Sequence, residues 1–229
     1  MPRLDSLLSF LTASVLRRAL VVTLVLFPLL TWVGRWLWGG PSIGEIITHS
    51  RFPLWLQLGW GLIGAGVAFE AIRAMIEWSF FREVTRHFLR MFIDVKMSIT
   101  DIIVASAGVA FAEELFFRGW LQQQIGILPA AIVFTGVHSY YYRKEVPRIF
   151  WIGLVLTAFS VILGLLYEYM GFVAAVSAHF FYNLFMFIYF RVEKGRHLRR
   201  LQRLRNLPFP PELQKVFHLM QEKDDVTML

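Results

Sequence analysis

The chain of 229 residues is 57% hydrophobic and only 17% charged, with 22 Phe and 8 Trp. A soluble domain averages about 45–50% apolar and about 25% charged residues, so lipid rather than water is the expected solvent, and the length suits one compact domain. The absence of cysteine excludes disulfides, thiolate metal sites and a cysteine nucleophile. The net charge of +7 fits cytoplasmic loops of a membrane protein, and nucleic acid is not expected as a partner.

Residues 1–18 place Leu4, Leu7, Leu8, Leu11, Val15 and Leu16 at near-helical spacing beside Arg3, Arg17 and Arg18. That pattern predicts a helix lying in the membrane interface. Ala19–Trp38 follows as a first span, broken only by Arg35 near its end, where a long side chain can snorkel to the interface. It is too long for a cleaved signal peptide and has no small-residue cleavage site.

A bilayer core of roughly 30 Å needs about 17–25 apolar helical residues. Phe52–Phe69, Ile127–Tyr142, Ile149–Tyr167 and Gly171–Phe190 meet or approach that length with no charged residue. Between the first two of these, Glu70–Lys96 mixes Arg73, Arg82, Arg86 and Arg90 with Phe80, Phe81, Phe88 and Phe92, which reads as an amphipathic surface connector. A sixth span begins near Ile99 and carries Asp101, Glu113 and Glu114. After Phe190 the segment 191–229 is a basic tail suited to anionic headgroups, with a proline break at Pro208–Pro211. The predicted architecture is all-α: a polytopic transmembrane bundle of about six spans with amphipathic surface helices. Residues 19–98 hold two undiagnostic spans and the connector, and 99–190 hold the polar motifs.

With the N-terminus inside, the inner segments hold 20 of the 23 Lys and Arg, and the outer ones hold Arg35, Arg51 and Arg118. An asymmetry of that size predicts both termini in the cytoplasm.

Ionisable groups inside spans cost about 2.5–3.5 kcal/mol each on insertion scales and mark function by default. They gather here in Phe111–Gly119, in Phe134–His138 and in Ser177–Asn183. Glu114 and Arg118 are four residues apart, carboxylate first, the favourable order for an ion pair on one helix face. Glu113 is turned away by roughly 100°. Desolvated and unpaired within its helix, it is suited to accept or donate a proton; a wet helix end would also accommodate both carboxylates. His179 and Asn183 also share a face, and an imidazole beside an amide can give two hydrogen bonds to one oxygen, as an oxyanion hole requires. A lone histidine in a span more often serves helix packing.

Depth weighs against that plainer reading. At about 1.5 Å per residue, His138 lies about 16 Å into its span, His179 and Asn183 about 12 and 18 Å, and Glu113 about 16 Å from the far end of its helix. All four are measured from the same side, so three helices deliver them to one layer.

Glu113-Glu114…Arg118, Phe134…His138 and His179…Asn183 together resemble the pattern of the CPBP intramembrane proteases, Glu-Glu-x-x-x-Arg, Phe-x-x-x-His and His-x-x-x-Asn. That family includes type II CAAX prenyl endopeptidases and bacterial bacteriocin-processing, Abi-like and immunity proteins. The likeness covers roughly residues 99–190. It implies an endopeptidase of the bacterial cytoplasmic membrane acting on a membrane-embedded or lipid-anchored peptide or protein. Glu113 and His138 would activate a water, His179 and Asn183 would stabilise the oxyanion, and Glu114 and Arg118 would support them.

Family members have been described as zinc enzymes and as metal-independent glutamate proteases. Glu113, His138 and His179 could supply the three ligands that catalytic zinc takes, but the spacing is not that of H-E-x-x-H. No cofactor is the favoured expectation, with zinc as the alternative. Two other functional classes compete: a non-catalytic membrane scaffold or immunity protein, and a small ion or proton transporter. The intact polar set argues against the first, and the lack of repeated or discontinuous span pairs against the second. The charge count puts the layer in the outer half of the membrane, whereas the resemblance implies access from the cytosol.

Overall fold

The structure is a computed structural model and describes residues 2–50, 52–81, 98–138 and 149–205. Its described residues form eight α-helices, a 3-10 turn and one π-helical turn, with no strand among them. The helices are α1 (Pro2–Trp38), α2 (Ile43–Thr48), α3 (Leu54–Glu77), α4 (Ile99–Phe116), α5 (Gln122–Ile125), α6 (Ile127–Val137), α7 (Ile149–Met170) and α8 (Phe172–Arg205). The chain is an all-α helical membrane bundle. Within α1, α3, α7 and α8, the stretches Leu20–Trp38, Leu54–Glu77, Phe150–Met170 and Phe172–Arg196 are long and apolar enough to cross a membrane.

Large apolar side chains point outwards, among them Trp36, Trp55, Val104, Leu128 and Tyr169, while Glu113, Glu114, Arg118, Thr135, Ser160 and His179 are buried. A solvent of lipid tails accounts for that inversion, because the polar groups find partners only inside the bundle.

Three expectations change. No break separates residues 1–18 from the first span, since α1 is one helix of 37 residues. The connector expected from Glu70 instead continues α3 to Glu77 and then makes a 3-10 turn at Ser79–Phe81; its remainder, 82–96, lies outside the described residues. Within the span expected at Ile127–Tyr142, the described α-helix ends at Val137 with His138 as its C-cap, and 139–142 lie outside the described residues. Eleven residues rise about 16 Å, roughly half of the bilayer core. Residues 139–148, with Arg143, Lys144 and Arg148, and the tail 206–229 also lie outside the described part, as does Arg51.

Close packing of small residues organises the bundle. α8 packs along α3, α4 and α7, and α1 packs along α4. At the α3–α8 crossing a Cβ on Gly61 would fall 1.7 Å from Ser177 Oγ and 2.8 Å from the Ala174 carbonyl oxygen, so glycine there lets the two backbones approach. α7 and α8 form a hairpin through Gly171, whose φ of +114° suits glycine. A Cβ there would also meet the His49 carbonyl oxygen at 2.3 Å. The same carbonyl accepts from the Phe172 backbone N–H at 3.2 Å, so the hairpin end is tied to α2.

Candidate active site

α4 starts at a capping box in which Ser98 and Asp101 bond each other's backbone N–H groups. That box uses the side chain of Asp101 at the exposed start of the helix, so the first of the three acids on this helix is not part of the polar cluster. The other two sit more than three turns further on. The backbone then widens: Phe117–Leu121 is π-helical, with the Gln122 N–H bonding the Phe117 carbonyl five residues back. Such turns recur at functional sites because the extra residue redirects side chains. Here it holds Arg118, which is 1% exposed.

Glu114 and Arg118 form the ion pair that their spacing predicts, Nε to Oε2 3.1 Å, with both side chains almost wholly buried. Arg118 also donates from Nη2 to the Ser160 carbonyl at 3.2 Å and to Ser160 Oγ at 3.0 Å. Its guanidinium carbon is 4.9 Å from the centroid of the Phe134 ring. A buried guanidinium is tolerated only with such partners, and α7 supplies one that no motif announced.

The second oxygen of Glu114 goes to His179, whose Nδ1 is 2.8 Å from Oε1. His179 Nε2 lies 3.8 Å from Glu113 Oε2. His138 Nε2 lies 3.6 Å from that same oxygen. Two imidazoles from two helices therefore face one carboxylate oxygen on a third.

The partners of the other ring nitrogens fix the tautomers. His138 Nδ1 is 2.8 Å from the Phe134 carbonyl oxygen; a carbonyl only accepts, so Nδ1 donates, and when the ring is neutral it is the Nε2 lone pair that faces Glu113. The Glu114 carboxylate, paired with Arg118, likewise accepts from His179 Nδ1, leaving Nε2 to face Glu113. The spacing of His179 and Asn183 suits an imidazole and an amide that donate to one oxygen. With Nδ1–H already engaged, Nε2 donates only when the ring is an imidazolium.

His138 is the exposed edge of the cluster, its side chain 33% accessible. It follows the last residue of α6 and caps that short helix through its own bond to the Phe134 carbonyl, one of the otherwise orphaned C-terminal acceptors. Asn183 lies one turn beyond His179 on α8 and is half-buried. The opposite end of the cluster is covered by α2, where Ile46 is fully buried against Leu115, Tyr167, Phe172 and Ala175. A Cβ on Gly119 would lie 2.7 Å from the Ile46 side chain.

With both rings neutral, two Nε2 lone pairs and one carboxylate oxygen converge, a donor set that zinc accepts. Among the described residues, however, no group of three such side chains is arranged to hold a metal ion. The site brings one carboxylate oxygen and two imidazoles together inside a helical membrane bundle.

Residues 95–185 match the family model of Rce1-like proteins, described as type II CAAX prenyl endopeptidase Rce1-like. The match takes in Glu113, Glu114, Arg118, His138, His179 and Asn183 and covers about two-fifths of the chain. Among curated proteins, the uncharacterized protein YpbD of Bacillus subtilis (strain 168) is 37% identical over 107 residues, 46% of this chain and 52% of that protein. The chain thus spans about half the length of the curated relative it matches. No solved structure matches it.

Proposed function

We propose that the chain is an intramembrane endopeptidase that hydrolyses a peptide bond of a membrane-embedded or lipid-anchored peptide or protein. One observation carries the reading: the Nε2 atoms of His138 and His179 both face Glu113 Oε2, at 3.6 and 3.8 Å. The likeness of residues 95–185 to Rce1-like endopeptidases supports the reaction class.

In the proposed reaction a water lies between Glu113 and His138. Glu113 takes one proton as the water oxygen attacks the scissile carbonyl, and His138 Nε2 accepts a hydrogen bond from the other. The carbonyl oxygen becomes an oxyanion and receives hydrogen bonds from the Asn183 amide and from His179 Nε2–H. His179 enters the reaction already protonated on both nitrogens, with Nδ1–H held by Glu114, and it keeps both protons throughout, its charge balanced by the oxyanion. Collapse of the tetrahedral intermediate breaks the C–N bond, and the proton held by Glu113 passes to the leaving amine. No metal or cofactor enters these steps.

The exposed edge at His138 and the cover of Ile46 at the other end favour substrate entry from the His138 side. With both termini cytoplasmic, α6 runs inward to His138, so entry is from the cytoplasm. On this reading a layer that the charge count puts in the outer half opens towards the cytosol. The proposed location is a bacterial cytoplasmic membrane crossed about six times, with α4 and α6 as the shorter members.

The test uses purified wild-type and Glu113→Gln protein in detergent against a peptide library. Cleavage by the wild type, lost in Glu113→Gln at equal folded yield, is the expected result. An active Glu113→Gln protein would overturn the mechanism.

A further inference from the structure

Phe134 is almost wholly buried and touches each charged or titrating part of the cluster except the two carboxylates. Its carbonyl oxygen holds His138 Nδ1 at 2.8 Å. Its ring centroid is 4.7 Å from that of His138 and 5.7 Å, edge-on, from that of His179. The Arg118 guanidinium carbon is 4.9 Å from the same centroid. Phe117 meets it edge-on at 4.9 Å, and with Phe27 and Ala112 it anchors the ring in one apolar cluster.

These contacts have a common consequence. A partial turn of either imidazole about its Cβ–Cγ bond would tilt its plane away from its packing on the Phe134 ring. A half-turn would break its Nδ1 bond, so ring and bond together fix the direction in which each Nε2 points. The aromatic face also gives Arg118 a partner on the cluster side, in addition to Glu114 and Ser160. Without the ring, the guanidinium and both imidazoles would share one less crowded space, and the convergence on Glu113 would loosen.

We propose that Phe134 is a positioning residue for both histidines: its carbonyl sets the tautomer of His138, and its ring keeps the Nε2 edges of His138 and His179 on Glu113. The catalytic consequence rests on the protease reading above, whereas the placement of the imidazoles does not.

The test compares wild type, Phe134→Leu and Phe134→Tyr of the full chain in detergent. Histidine-selective 15N labelling gives the ring nitrogen resonances, assigned with His138→Gln and His179→Gln. Phe134→Leu should move the His138 and His179 resonances and leave that of His49, which stacks on Tyr167, in place. Misplacement on the ångström scale costs about 10²-fold in rate, so kcat should fall by about tenfold to a hundredfold with KM nearly unchanged. Phe134→Tyr keeps the ring and should keep both the resonances and most of the turnover.

Unmoved histidine resonances in Phe134→Leu would overturn the proposal, as would equal losses in the two variants. Should Phe134→Leu not fold, a Phe134→Tyr protein with displaced histidine resonances would overturn it on its own. A wild type that cleaves nothing, with resonances behaving as described, would sink the protease reading and leave the positioning role supported.

Discussion

His179 joins the two carboxylates of α4: its Nδ1 lies 2.8 Å from Glu114 and its Nε2 3.8 Å from Glu113. Glu114 is thus held from two helices, by Arg118 on its own and by His179 on α8. The partition between the carboxylates is sharp. One carries a guanidinium at 3.1 Å and an imidazole nitrogen at 2.8 Å, and the other, among the described residues, faces the Nε2 edges of two imidazoles.

That partition predicts different failures at neighbouring positions. Glu114→Gln leaves Arg118 buried without its carboxylate, and Arg118→Ala does the same to Glu114. Breaking one side of a buried pair costs about 3–5 kcal/mol. Both substitutions should lower folded yield and melting temperature in detergent as well as activity, whereas Glu113→Gln should spare the fold. Equal and purely catalytic losses at all three positions would mean that the roles of the carboxylates are wrongly divided.

The polar layer is legible in the sequence because ionisable groups stand out in apolar segments, and because Glu114 and Arg118 are one turn apart on one helix. What crosses between helices is not legible in that way. Nothing in the spacing of His179 and Asn183 shows that Nδ1 of the histidine goes to Glu114, which is 65 residues away. Ser160 lies in an unremarkable apolar run, yet it holds Arg118. The end of α6 escapes hydropathy for another reason: the apolar run continues to Tyr142, while the helix stops where His138 turns its own ring back to cap it. Continuity of α1 is hidden because a Leu/Arg pattern at helical spacing fits an interfacial helix and the start of a longer one equally.

Asn183 and His138 should separate in kinetics. Removing one oxyanion donor costs about 10²–10³ in kcat, or about 2.7–4 kcal/mol. Asn183→Ala should keep weak turnover with KM nearly unchanged, while His138→Ala should be close to inactive. Wild-type cleavage is expected to withstand a chelator. If a chelator silences the enzyme and zinc restores it, while Asn183→Ala keeps most activity, His179 is a ligand and the metal-free reading falls.

Membrane orientation can be read by cysteine labelling in a chain that has none. Single cysteines at Ser6 and Thr227 should react with an impermeant reagent only from the cytoplasmic side, and one at the exposed Thr48 of α2 only from outside. His138→Cys should react from the cytoplasmic side, because His138 is the exposed edge of the cluster. Labelling of Ser6 and Thr227 from opposite faces would require an odd number of spans. Reaction of His138→Cys only from outside would reverse the proposed entry.

Two glycines of α3 give a controlled test of how the bundle sets the site. A Cβ on Gly66 meets nothing within 4 Å, whereas one on Gly61 falls on Ser177 Oγ, the Ala174 carbonyl and the Ala178 nitrogen at 1.7, 2.8 and 2.9 Å. Helix propensity favours alanine over glycine by about 0.8–1.0 kcal/mol, so Gly66→Ala should raise the melting temperature slightly and leave turnover alone. Gly61→Ala has the same propensity gain but forces α3 and α8 apart, two residues before His179. It should lower both stability and kcat. Adding Ser177→Ala should restore little, because two of the three clashing atoms belong to the α8 backbone. Equal behaviour of the two glycine variants would show that the α3–α8 approach does not hold the histidine in place.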